Sequence, residues 1–179
     1  MLTDLAHIIQ TANHRSTFVV LHQLGSHGQA YHKRYPKEFE RFAPICQTSE
    51  IQTCSQEALI NTYDNSIAYT DFFVNSAIEQ LKAIQKDYDV ALWYVSDHGE
   101  SLGENNMFMH GGMPYFMAPD EQTLIPSILW LGNGFDTQRE SSIKKTNSPL
   151  NHDYVFHTLL GLFGIKTSVY ESNLDLTAR

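Results

Sequence analysis

"DVALWYVSDHGESLGENNMFMHGG", residues 89–112, runs from a nearly unbroken apolar segment straight into Asp-His-Gly-Glu and reaches a second His-Gly a dozen residues later. Apolar residues at almost every position of 90–95 mark a strand buried on both faces. A turn needing only solubility has no use for acid, imidazole and glycine together. Asp97 and His98 place one hard oxygen and one imidazole nitrogen at a strand terminus, a mixed donor set that Zn²⁺ accepts. Gly99 permits the tight backbone that adjacent ligands need. Taken alone, the pair reads more readily as a strand-end turn in which Asp caps the backbone.

The surroundings favour the first reading. "STFVVLHQL" (16–24) is a β-branched apolar run that reads as a buried strand feeding "GSHG", with His27 at its end. "LIPSILWLG" (124–132) reads as a third strand, with Pro126 near its start. Between Ser55 and about Lys86, the residues Leu59, Tyr63, Ile67, Thr70, Val74, Ile78 and Leu81 step by three and four, one stripe down a long helix. "NHDYVFHTLLGLFG" (151–164) is a shorter helix stopped by Gly164. This alternation predicts an α/β fold with a mainly parallel sheet flanked by helices. Parallel strands would bring the loops after Leu24 and Val95 to one sheet edge, where ligands bind. His27, Asp97, His98, Glu100 and His110 would then crowd together. Such crowding is costly unless a cation, or a phosphate above one, shares the site.

The bulk properties narrow the partners. The 179 residues suffice for one domain with a core, and 42% hydrophobic with 18% charged content is globular. A formal charge of −8 opposes nucleic acid as a partner. No window is apolar for the 18 residues a membrane span needs, and the first residues lack a signal-peptide pattern. His7 and His14 fall in a start expected to fray, and His22 is expected in the core. His152 and His157 are assigned to packing or surface on the last helix. His32 sits in the basic "HKRYP" loop, whose simplest role is solvation. Cys46 and Cys54 leave two options equally open by spacing: a short disulfide loop in an oxidising compartment, or two unrelated thiols.

Four segments together carry a family resemblance: "LHQLGSHGQAYHKRYP", "CQTSEIQTCSQEALINTYDNSIAYTD", "SDHGESLGENNMFMHG" and "FHTLLGLFG". In order and separation, residues 16–165 resemble the catalytic domain of the lipid A phosphoethanolamine transferases. That family includes the mobile colistin-resistance enzymes and lies within the alkaline phosphatase/sulfatase superfamily. The resemblance implies a periplasmic domain tied to the inner membrane by an N-terminal helical bundle. It implies transfer of phosphoethanolamine from phosphatidylethanolamine to lipid A through a zinc-activated, phosphorylated threonine. Residue by residue, it assigns Asp97 and His98 to the zinc, and His27 and His110 to catalysis at the substrate side. His27, His110 and Glu100 are assigned to substrate binding, and Cys46–Cys54 to a disulfide.

The resemblance lacks one part. The Glu-Thr motif that carries the family's nucleophile belongs upstream of residue 16, and nothing before that position is similar to it. Residues 1–179 are therefore expected to be the C-terminal portion of a larger periplasmic domain, incomplete on its N-terminal side. The chain alone is expected to bind zinc weakly, to turn over nothing and to expose apolar surface. Two alternatives stay open: another sulfatase-superfamily hydrolase or transferase, or a non-catalytic remnant that binds zinc or an anionic headgroup.

Overall fold

The apolar run of the quoted stretch becomes a strand, β1 (Ala91–Val95), in a computed structural model that describes residues 2–12 and 16–178. The other strands are β2 (Ser101–Leu102), β3 (Phe108–Met109) and β4 (Ser127–Leu131). The α-helices are α1 (Leu5–Thr11), α2 (Gln56–Ile84), α3 (Asp120–Thr123), α4 (Asp136–Lys145) and α5 (Asp153–Leu162). This mixture of helix and sheet fits the expected α/β class. Residues 20–78 and 93–128 form one compact unit, and residues 3–19, 79–92 and 129–179 contribute to a second.

The sheet pairing departs from the mainly parallel arrangement. β2 pairs antiparallel with β3, Ser101 opposite Met109 and Leu102 opposite Phe108. β1 neighbours β4. Ser96 N–H donates to Pro126 O beyond one end of β1, and Gly132 N–H donates to Val90 O before the other, so these strands also run in opposite directions. The run 16–24 joins neither ladder. Phe18, Val20 and Leu24 are 59%, 70% and 61% exposed, and His22 is exposed too. A β-branched apolar run reports a capacity to pair, but a strand is buried only where a neighbour takes up its edge.

Helix α2 begins with Ser55, whose hydroxyl accepts from Ala58 N–H at 3.2 Å, one N-cap bond. Its buried face follows the expected stripe at Leu59, Thr70, Val74 and Leu81, with Tyr63 and Ile78 half-buried, and departs from it at Ile67. Ile67 is 41% exposed, whereas Thr62, Asn65 and Ser66 are at most 1% exposed. Each buried polar group has a partner, as burial requires. Thr62 Oγ1 accepts from Cys46 N–H at 2.6 Å, and Asn65 Oδ1 accepts from Arg41 and Phe42 N–H at 2.8 and 2.9 Å. Ser66 Oγ bonds Ser26 Oγ at 2.8 Å. The helix thus uses polar side chains to pin the long segment 25–54, including the stretch beside His27.

That segment supplies core as well as loop. Tyr31, Cys46 and Ile51 pack with Ala58, Leu59 and Leu102 in a buried cluster flanked by Tyr63, Phe108 and Met109. The Cys46–Cys54 disulfide that the resemblance implies is present and closes this loop. In the second unit Leu81, Ile84 and Val90 form a core against Ala6, Ile9, Leu92 and Trp130. Helix α1 is therefore seated where a frayed start was expected; His14 lies outside the described residues. The polar helix α4 escapes the sequence pattern because it has almost no apolar face. Arg139 at its centre holds Leu131 O and Gly132 O at 2.7 and 2.9 Å. Helix α5 ends as expected near Gly164, whose φ is +62°.

A three-histidine candidate metal centre

His27, His98 and His110 converge within the first unit. Each offers a ligand nitrogen, and the nitrogens lie within 4.8 Å of one another. Ring centroids are 3.6 Å apart for His98 and His110, 5.1 Å for His27 and His110, and 5.8 Å for His27 and His98. All three rings are partly buried. The loops meet as expected although the parallel strands invoked to bring them together do not form.

Local contacts explain the convergence. His27 N–H donates to Leu24 O at 3.2 Å, closing a turn through Gly25 at φ +53°. Arg34 Nε donates to His27 O at 2.7 Å. The β2–β3 ladder folds His110 back towards His98. Gln122 then ties the pieces together: its carbonyl accepts from Gly99 N–H at 2.9 Å, its side-chain oxygen from Gly111 N–H at 3.3 Å, and its Nε2 donates to Ser101 Oγ at 2.9 Å. Gly99 is obligatory here, because a Cβ at that position would lie 2.1 Å from Glu121 O.

The acceptors around the rings set their tautomers. His27 Nδ1 faces Gly28 O at 2.7 Å, and His98 Nδ1 faces Gly99 O at 2.9 Å. A carbonyl only accepts, so both Nδ1 atoms donate, and in the neutral ring the lone pair is on Nε2. His110 Nδ1 faces Glu100 Oε1 at 3.2 Å. Neutral imidazoles with Nδ1–H turned to an oxygen are the form in which histidine ligates metal.

The carboxylates behave differently from each other. The Asp97 side chain is 84% exposed, with Oδ2 3.8 Å from His98 Nε2 and Oδ1 accepting from His98 N–H at 3.1 Å. It stands at the lip of the cluster and is not one of the three converging donors. Glu100 is 8% exposed, with one oxygen on Gly28 N–H and His110 and the other on the Tyr31 hydroxyl. Both oxygens are engaged by donors of the protein itself. Burial, reinforced by Glu100, pushes the Tyr31 hydroxyl far above the usual phenol range. Burial also raises Tyr63, to about 12.

Tyr31, Arg34 and Gln122 were not legible as site residues. Arg34 belongs to the basic "HKRYP" loop, but its guanidinium serves backbone carbonyls; nothing in "APDEQT" singles out Gln122. In the same basic loop, His32 Nδ1 is buried without a hydrogen-bond partner, and burial followed by Lys33 lowers the pKa of that ring. His157 is a packed residue, as expected, its Nδ1 accepting from Glu171 N–H at 3.0 Å.

The chain as a whole is similar to known proteins. The phosphoethanolamine transferase EptA of Salmonella typhimurium is 45% identical over 163 residues, covering 88% of this chain and 30% of that protein. The periplasmic domain of phosphoethanolamine transferase EptC from Campylobacter jejuni superposes with a TM-score of 0.79 at 49% identity, covering 86% of this chain and 49% of that one. The integral membrane lipooligosaccharide phosphoethanolamine transferase A of Neisseria meningitidis gives 0.81 at 38% identity, covering 88% and 30%. The chain thus spans about 30% of the length of the curated relative it matches. Among the described residues no helix is long and apolar enough to cross a membrane. The sequence pattern of the Sulfatase family matches residues 1–165, and the chain belongs to that family.

Proposed function

We propose that residues 1–179 are the C-terminal portion of the periplasmic catalytic domain of a zinc-dependent phosphoethanolamine transferase. In this reading the donor is phosphatidylethanolamine, the acceptor is lipid A, and the enzyme works at the periplasmic face of the inner membrane. The observation that carries the reading is the convergence of His27, His98 and His110, with ligand nitrogens within 4.8 Å of one another. The names of the similar proteins support the transferred group.

The donors suit zinc. Three imidazoles leave room for a further ligand, as catalytic zinc sites do. Two of the rings have Nδ1 held by a backbone carbonyl, which leaves Nε2 to ligate. Asp97 at the lip can join His98 by a rotation of its exposed side chain. When bound, zinc would supply Lewis-acid stabilisation of phosphoryl oxygens and activate a hydroxyl nucleophile.

The chain's own residues have separable tasks. His98, oriented by Gly99 O, holds the metal edge of the site. His27 and His110, on two other loops, would hold the metal with His98 through Nε2 and so stand beside the phosphoryl group. Arg34 fixes the His27 main chain and does not itself reach the substrate.

The test is an assay of the full-length protein containing this segment, in membranes, with a fluorescent phosphatidylethanolamine analogue and lipid A. Transfer abolished by His98→Ala and reduced at least about a hundredfold by His110→Ala is expected. Sulfate-ester hydrolysis with no phosphoethanolamine transfer would overturn the reading in favour of another sulfatase-family reaction.

A further inference from the structure

Glu100 lies where three separate parts of the site meet. Its Oε1 accepts from Gly28 N–H at 3.2 Å and stands 3.2 Å from His110 Nδ1; its Oε2 accepts from the Tyr31 hydroxyl at 2.8 Å. Its side chain is 4% exposed. The cradle is tight: a Cβ on Gly28 would fall 2.8 Å from the Tyr31 hydroxyl and 3.3 Å from Glu100 Oε2. Gly28 directly follows His27, so one buried side chain touches the loops of two histidines.

We propose that Glu100 is a positioning residue whose buried carboxylate, by holding Gly28 N–H, the Tyr31 hydroxyl and His110 Nδ1 together, fixes both the spacing of His27 and His110 and the tautomer of His110. Both oxygens of Glu100 already act as acceptors, Oε1 of Gly28 N–H and Oε2 of the Tyr31 hydroxyl, so Nδ1 of His110 donates to Oε1 and the lone pair is left on Nε2. His27 and His98 obtain the same tautomer from backbone carbonyls. His110 has no such carbonyl, and Glu100 takes its place. The donors that this carboxylate meets all belong to the protein's own loops. The role in metal binding rests on the transferase reading above; the tautomer does not.

The experiment uses the 179-residue chain labelled with ¹⁵N-histidine, read by long-range ¹⁵N–¹H correlation without metal, then titrated with Zn²⁺. Wild-type His110 is expected in the Nδ1–H form, and Glu100→Ala is expected to lose it and to weaken zinc about 10- to 100-fold. Glu100→Gln keeps an acceptor oxygen and is expected to retain the tautomer and most of the affinity. If the Ala variant fails to fold, the wild-type spectrum and the Gln variant still decide. An Nε2–H tautomer in wild type, or an Ala variant with unchanged tautomer, overturns the proposal. A wild-type chain with the Nδ1–H form that ignores zinc supports the positioning role while removing the metal reading.

Discussion

The rings of His98 and His110 lie with centroids 3.6 Å apart and planes inclined by 31°. Twelve residues separate them in sequence, and the intervening hairpin of β2 and β3 sets the approach through the pairs Ser101–Met109 and Leu102–Phe108. A one-residue slip would send every side chain of so short a ladder to the opposite face. The pairing of the two imidazoles is therefore a property of the register, and the backbone that supports it is the first place to test.

Gly99→Ala is expected to damage this arrangement without removing a ligand. The new methyl would lie 2.1 Å from Glu121 O, a backbone atom that cannot swing aside. Overpacking of this kind costs about 1–3 kcal/mol. Thermal unfolding should show a lowered Tm together with loss of the Gly99–Gln122 hydrogen bond; an unchanged Tm would contradict the close approach.

The Cys46–Cys54 bridge closes a loop with a sequence separation of 8. Chain-entropy arguments give such a loop about 2.5 kcal/mol of stabilisation. Urea unfolding with and without a reductant should differ by about that amount. Equal midpoints would mean that the bridge restrains nothing beyond what the packing of Ile51 and Tyr31 already restrains.

Thr62→Val tests the polar face of α2. Thr62 is fully buried and its Oγ1 accepts from Cys46 N–H at 2.6 Å. Valine fills the space but leaves that N–H unpaired, at a cost of about 1–3 kcal/mol. A variant as stable as wild type would show that the bond contributes nothing net.

High pH should unfold the first unit through its tyrosines. Burial raises Tyr63 to about 12, and burial with Glu100 raises Tyr31 further. A group whose folded pKa lies above its unfolded value contributes stability that is complete below the unfolded value, near 10, and is lost as pH rises through the folded one. Stability should therefore fall between about pH 10 and 12. Tyrosinate absorbance should rise in two stages, the second coinciding with loss of the circular dichroism signal. Single-stage titration near pH 10 with the fold intact would contradict the burial of these hydroxyls.

Much of the site was legible before any coordinates. Asp97-His98 stood out because an apolar strand, half-buried along its whole length in the structure, ended in ligand chemistry, and His27 and His110 because each preceded a glycine in a polar loop. The route to that result was partly mistaken. The run 16–24 looked like a buried strand because Phe18, Val20 and Leu24 are apolar, yet burial depends on a neighbour that local pattern cannot specify. Phe18 instead meets the edge of Phe163 at 6.0 Å. The stripe on α2 failed only at Ile67, for a related reason. Hydrophobicity ranks Ile67 above Asn65, but Asn65 carries the donors and acceptor that the loop backbone at Arg41 and Phe42 needs. Glu100 was visible as a carboxylate but not as a buried one, because its partners Gly28 and Tyr31 lie about 70 residues away.

The most direct measurement is zinc binding by the chain itself, read by calorimetry at neutral pH. One Zn²⁺ per chain is expected, with affinity reduced at least about tenfold by His27→Ala, His98→Ala or His110→Ala, and much less by Asp97→Ala. Binding lost only in Asp97→Ala and His98→Ala would return the metal to the strand-end pair alone. No binding, or binding indifferent to all three histidines, would contradict the three-histidine centre.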